Sequence, residues 1–303
     1  MKITKTTQVS LTFAMILAML CWGGTWPFAK LIQGSLPINS IIFYRFFFSV
    51  LGFILIIWAQ KKSFKLPKSD LKYVFFGGGL MAAYHWLFFK GLQSGGLPGA
   101  SGVLTTSLIP LATFGFSAMV YRKSLHLKEW IGLGLGVSSA IIFLQLWAPH
   151  PDLFSHGTLY FLAAPIVWAV LSLISQKVTT TSLVYTCYLL AGGGIVFFFL
   201  TPWPDLIHIQ NQSSQFWISM GFLVIAGNLL GTSIFFQTVE KLGPKKAASF
   251  MFIIPSAAVV FSYLMFKEIP TFTTLIAGSL ALLGVYVLNK TPKTEINGGR
   301  DKA

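Results

Sequence analysis

Residues 38–58 read INSIIFYRFFFSVLGFILIIW, and this stretch decides the fold. It carries one charged side chain, Arg45, among predominantly apolar residues. A helix needs about 20 such residues to cross the hydrocarbon core of a bilayer. The stretch therefore predicts a transmembrane α-helix with an arginine inside it.

Comparable apolar runs fill the rest of the chain. The 303 residues are 54% hydrophobic and only 10% charged, whereas a soluble domain carries about a quarter charged residues. This composition excludes a water-soluble globule and predicts an all-α integral membrane protein with ten transmembrane helices. The spans are predicted at 9–31, 38–58, 71–92, 97–120, 130–148, 157–176, 183–203, 216–239, 247–266 and 271–289.

The basic residues predict how these helices are oriented. The net charge is +14, yet 18 of the 22 Lys and Arg residues fall on the side of the two termini, and only Lys267 falls in a loop on the other side. This asymmetry is the positive-inside rule. The rule accounts for the positive net charge, so we expect no nucleic acid as a partner. It predicts a multi-pass protein of the cell inner (plasma) membrane, surrounded by membrane lipids, with both termini cytoplasmic.

Three sequence markers recur about 146 residues apart and indicate an internal repeat. The two halves, 1–148 and 149–303, would hold five helices each, and this odd number inverts the second half relative to the first. Inverted repeats with a central site between them are typical of secondary transporters. The markers are Trp22 with Trp168, Pro110 with Pro255, and Phe88-Phe89 with Phe235-Phe236.

Three stretches resemble the EamA type of the drug/metabolite transporter superfamily. They are Leu20-Cys21-Trp22-Gly23-Gly24-Thr25-Trp26, the pattern from Phe235 to Ala248, and the segment from Pro255 through Phe266-Lys267-Glu268 to Gly278 and Gly284. The resemblance covers nearly the whole chain. It implies a ten-helix carrier of small metabolites, often amino acids.

Arg45 is the sharpest candidate for a binding residue. It lies seven residues inside its span, about 10 Å below the outer boundary at 1.5 Å per residue, where a charge is costly. One interpretation is a side chain that snorkels to the outer interface. The other is an inward-facing cation that receives an anionic substrate group or a neighbouring carbonyl, because no Asp or Glu lies deep in any predicted span.

Two further polar residues lie at depth. His85 has the same predicted depth as Arg45, and histidine changes charge near neutral pH. It is therefore either a hydrogen-bonded packing residue or a group for substrate recognition or proton coupling. Asn228 lies near mid-membrane, where its amide needs another helix or a ligand as partner.

Aromatic residues accompany these polar groups. Trp22 and Trp26 share one face of the first helix, and Trp168 and Ser172 occupy the equivalent face of the sixth. They either pack between helices or line a cavity for a partly apolar or planar ligand, because aromatic walls with a few polar groups are typical of small-molecule sites.

Pro110 and Pro255 lie mid-span in equivalent helices, and each removes a backbone hydrogen bond. They are either hinges for alternating access or static kinks. We expect no catalytic residue, metal site or cofactor. Taken together, the sequence predicts a secondary transporter of a small zwitterionic or anionic metabolite with an apolar or aromatic part, acting as a monomer or weak homodimer.

Two alternatives to a carrier remain. The first is an intramembrane serine protease that uses Ser101, because Gly99-Ala100-Ser101-Gly102 matches the G-x-S-G pattern. Such an enzyme needs a histidine base within hydrogen-bond reach of the serine. The second alternative is a channel or a non-transporting receptor.

The charge asymmetry yields a topology prediction. A reporter fused after Ala303 is expected to be cytoplasmic, and one inserted near His150, in the 148–157 connection, is expected to be external. Paired fusions of a periplasm-active and a cytoplasm-active reporter measure this directly. Finding both positions on the same side of the membrane would refute the inverted halves.

Overall fold

The computed structural model describes residues 5–94, 98–122, 125–143, 156–267, 269 and 272–289. Within them, ten long helical segments form one bundle. Their bounds are α1 Lys5–Leu31, α2 Ile38–Ala59, α3 Leu71–Gln93, α4 Pro98–Tyr121, α5 Leu127–Phe143, α6 His156–Ser175, α7 Ser182–Leu200, α8 Ser214–Leu242, α9 Pro244–Phe266 and α10 Phe272–Asn289.

These helices confirm the predicted fold class. For each helix whose two ends the structure describes, both ends lie within four residues of their predicted positions. By length and composition, α1, α2, α7, α8 and α9 qualify as spans on their own, and α4, α6 and α10 contain shorter apolar helices. An additional short helix, Trp203–Ile207, follows α7. The 148–157 connection lies largely outside the described residues.

Two of the long segments are not regular α-helices throughout. In α8, residues Leu223–Thr232 form a π-helical stretch between two α-helical pieces. In α9, residues Phe250–Ile253 form a 3₁₀ turn that precedes the α-helix Ile254–Phe266. Local departures of this kind often occur at functional sites, and both of these lie beside the cavity described below.

The contacts between helices are symmetric between the two halves. Helix α1 packs against α8 and α9, and its counterpart α6 packs against α3 and α4. Helix α2 packs on α7, and α5 packs on α10, so each of these pairs maps onto itself. Exchanging the halves therefore reproduces the main contacts, as expected for inverted five-helix repeats.

One glycine contact shows how closely helices of the two halves approach. A Cβ atom added to Gly78 in α3 would lie 3.1 Å from Cα of Gly192 in α7. Small residues allow such close packing inside a membrane, where it gains dispersion energy. Helix α3 thus packs on the second half through its backbone.

Asp70 connects two parts of the chain at one end of the bundle. We call this end the basic face, because the Lys-rich segment 61–72 lies there. The Asp70 carboxylate is fully buried. It accepts hydrogen bonds from the N–H groups of Thr179, at 3.0 Å, and Thr180, at 2.8 Å, and from the Thr179 hydroxyl, at 3.0 Å. It therefore ties the start of α3 to the connection between α6 and α7. The opposite end of the bundle is called the opposite face.

These hydrogen bonds outweigh the effect of burial on the Asp70 carboxyl. Burial acts to raise its pKa, but donors from Thr180, Thr179 and Ser69 hold the pKa below the usual value. A carboxyl with a depressed pKa contributes stability above its unfolded pKa of about 3.9 and loses that contribution as the pH falls through the folded pKa.

Asp70→Asn is therefore expected to lower the melting temperature in detergent at pH 7 by an amount on the order of 5 °C, because charge-assisted hydrogen bonds become weaker. The gap between parent and variant is expected to narrow as the pH falls below about 4. Thermal melts across that range measure both effects, and Asp205→Asn is the control. A gap that persists unchanged at low pH would contradict this account of Asp70.

Candidate functional site

A cavity lies at mid-depth between the two halves. Helices α1, α2, α3, α4, α6, α8 and α9 line it. Its free volume is about 40 Å³, enough for a few water molecules but too small for an organic metabolite. Binding a metabolite there therefore requires the helices to move apart.

The three predicted tryptophans meet at this cavity. The rings of Trp22 and Trp168 make an edge-to-face pair with centroids 5.3 Å apart. Trp168 also contacts Tyr84, at 4.6 Å, and Trp26 contacts Phe88, at 4.5 Å. All five residues line the cavity. Aromatic rings from both halves thus form its wall.

Arg45 faces this cavity and is only 5% exposed, so it does not snorkel to the interface. Its Nη2 donates to Oδ1 of Asn228, at 3.1 Å. The Asn228 amide donates to the Ser49 hydroxyl, at 2.9 Å, and that hydroxyl donates to the Arg45 carbonyl, at 2.6 Å. These three residues form a closed hydrogen-bonded loop, which we call the Arg45 loop.

Arg45 has a protein partner that its sequence pattern does not specify. The sequence predicts an anionic substrate group or a neighbouring carbonyl as partner, and here the carbonyl oxygen of a side-chain amide satisfies one guanidinium nitrogen. The Nε of Arg45 has no hydrogen-bond partner among the described residues. The Nε–H donor of the guanidinium is therefore left for another group.

The π-helical stretch of α8 contains Asn228 and also provides a hydrogen-bond acceptor for Trp22. The carbonyl of Gly227 accepts from Nε1 of Trp22, at 2.8 Å, and from the Thr232 hydroxyl, at 3.2 Å. A Cβ atom at Gly231 would lie 2.3 Å from Nε1 of Trp22, so a side chain there would collide with the indole. The sequence does not predict this π-helix, because the apolar pattern of residues 223–232 resembles that of an ordinary span.

His85 also lines the cavity. Its Nδ1 lies 3.0 Å from the carbonyl oxygen of Met81. Since a carbonyl can only accept, Nδ1 carries the hydrogen, and in the neutral ring Nε2 keeps its lone pair. The ring also packs edge-on against Phe46, with centroids 4.7 Å apart.

Other predicted residues lie in different settings. Ser172 is buried but outside the cavity lining, and its hydroxyl donates to the Trp168 carbonyl of its own helix. Pro110 lies inside the continuous helix α4. Pro255 follows the 3₁₀ turn as the second residue of an α-helix, so the two prolines differ in local backbone. The side chain of Ser101 lies outside the described part of the structure.

The inverted repeats and the central cavity between them define a class of membrane transporters. The chain belongs to the EamA-like transporter family, whose model matches residues 10–145 and again residues 155–290. The double match corresponds to the two structural halves. It confirms the resemblance noted from the sequence.

Individual proteins agree with this assignment. An uncharacterized transporter, YvbV, of Bacillus subtilis is 25% identical over 97% of this chain and 96% of its own length. An S-adenosylmethionine uptake transporter of Rickettsia felis is 23% identical over 82% of this chain and 81% of its own. A solved protein crystal structure superposes with a TM-score of 0.69 at 20% identity, covering 93% of this chain and 96% of that one. That likeness concerns the fold.

Proposed function

We propose that the protein is a secondary transporter of the inner membrane whose substrate is a small anionic or zwitterionic metabolite with an apolar or aromatic part, such as an amino acid. The buried guanidinium of Arg45, with its free Nε, carries this proposal. The described lining of the cavity contains no Asp or Glu. A buried charge requires a counter-charge or hydrogen bonds, and an anionic substrate group supplies both.

The rest of the lining suits the remainder of such a substrate. The faces of Trp22, Trp168 and Tyr84 offer apolar contact, and aromatic faces also attract an ammonium group. In its neutral form, Nε2 of His85 can accept from the same ammonium. Because two relatives are named S-adenosylmethionine uptake transporters, that amino-acid derivative belongs among the candidate substrates.

Equivalent residue pairs at the two ends of the bundle support alternating access between the halves 1–148 and 149–303. At the basic face, the hydroxyl of Tyr121 donates to Oε1 of Gln176, at 2.8 Å. At the opposite face, Nζ of Lys30 lies 5.1 Å from the ring centroid of Phe266. The repeat offset maps Tyr121 onto Phe266 and Lys30 onto Gln176. Each pair joins the two halves, and we propose that the pairs open in turn as gates.

Substrate recognition is tested by uptake into proteoliposomes. The panel contains L-phenylalanine, L-tryptophan, their carboxamides and S-adenosylmethionine. We expect uptake of at least one free acid, and Arg45→Gln should reduce that uptake by about tenfold or more, because a charge-assisted hydrogen bond is lost. Arg122→Gln, the same change outside the cavity, is the control. Equal uptake of acids and carboxamides, or full activity of Arg45→Gln, would contradict the proposal.

The gates are tested by cross-linking in a background in which Cys21 and Cys187 are replaced by alanine. Two double variants carry one cysteine pair each, and a short reducible bis-thiosulfonate reagent joins the two cysteines. The pairs are Tyr121→Cys with Gln176→Cys, and Lys30→Cys with Phe266→Cys. Either cross-link alone is expected to stop uptake, and reduction should restore it, because transport requires both ends to open in turn. Each single-cysteine variant, treated alike, is the control. Uptake that continues with one pair joined would show that this pair is not a gate.

A further inference from the structure

Two tryptophans at equivalent positions of the repeat differ in one hydrogen bond. Nε1 of Trp22 donates to the Gly227 carbonyl, at 2.8 Å. Nε1 of Trp168 has no hydrogen-bond partner within the described residues, although the side chain is only 2% exposed. An indole nitrogen can only donate, and leaving a buried donor unpaired costs free energy. The Trp168 N–H is therefore available to an acceptor that enters the cavity.

The backbone of the two halves explains the difference. The π-helical stretch of α8 offers the Gly227 carbonyl to Trp22. The matching part of α3 is ordinary α-helix, and there the Met81 carbonyl is bonded to His85 instead. The carbonyl equivalent to that of Gly227 is thus already bonded and does not accept from Trp168.

Trp168 and Arg45 share this property at the cavity. Among the described residues that line the cavity, the only buried side-chain nitrogen or oxygen atoms without a hydrogen-bond partner are Nε1 of Trp168 and Nε of Arg45. Both are donors, and they come from opposite halves of the chain. A carboxylate has two oxygens and about four lone-pair positions, so one group can accept from both.

We infer that the Trp168 indole N–H donates a hydrogen bond to the anionic group of the substrate, beside Arg45. Trp168 is then a specificity-determining donor in addition to an aromatic wall. This inference rests on the proposed function and deepens it. It also means that an anion contacts one donor from each half.

The inference is tested first in the empty protein by NMR of indole ¹⁵N-labelled tryptophan. The nine tryptophans give nine N–H signals, and single Trp→Phe variants assign those of Trp22 and Trp168. We expect the Trp168 proton to exchange with D₂O at least about tenfold faster than the bonded Trp22 proton. Slower exchange at Trp168 would mean that its N–H is engaged by a neighbouring aromatic ring, such as Phe235. That result would overturn the role inferred for Trp168 and leave the proposed function unaffected.

The second step uses 3-phenylpropanoate as the anionic probe and 3-phenylpropylamine as its cationic match. Saturating 3-phenylpropanoate is expected to move the Trp168 signal downfield. Trp168→Phe keeps an aromatic ring and is expected to bind this probe about tenfold or more weakly. Trp217 is 41% exposed and outside the cavity lining, so Trp217→Phe should bind as the parent does.

The outcomes separate the two proposals. If the parent binds 3-phenylpropanoate and Trp168→Phe binds it equally well, the role of Trp168 is wrong and anion recognition by Arg45 stands. If the parent binds the amine in preference to the acid, or does not bind the acid at all, the proposed substrate class is wrong and the inference fails with it.

Discussion

The hydrogen bond between Arg45 and Asn228 organises the centre of the bundle. A guanidinium that is 5% exposed among apolar helices must be partnered, because an unpaired charge in such surroundings is very costly. Asn228 meets this need from the other half of the chain, and Ser49 closes the loop. The amide keeps the arginine inside the cavity without neutralising it, so the positive charge remains available to a ligand.

The position of Asn228 depends in turn on the π-helical stretch of α8. The same stretch presents the Gly227 carbonyl to Trp22, and the edge-to-face contact between Trp22 and Trp168 extends the arrangement to α6. Charge, amide, irregular backbone and aromatic wall are therefore coupled through direct contacts. A substitution at any one of them is expected to displace the others, because close-packed protein interiors transmit strain.

The sequence was sufficient for the helices and the repeat, because both follow from long-range regularities: apolar length set by the bilayer and an offset of about 146 residues. It also singled out two residues that line the cavity, Arg45 and His85, because a deep arginine or histidine is costly and requires explanation. It did not predict the partners. The Arg45 loop depends on a backbone irregularity with no residue signature, and Asp70 is at a helix start where a carboxylate is expected to face water.

The π-helical stretch also makes the hydrogen bonding of the two halves unequal. Two identical inverted repeats would give two conformations related by a twofold rotation and equal in free energy, each occupied half of the time. Here one half has an additional indole-to-carbonyl hydrogen bond and an amide on the arginine, while the regular helix α3 provides neither. A net difference of only about 1.4 kcal/mol between the two facing states corresponds to a tenfold bias in their populations. In a carrier that alternates as proposed above, such an inequality would make the empty protein favour one facing state, and its origin would be the backbone of a single helix.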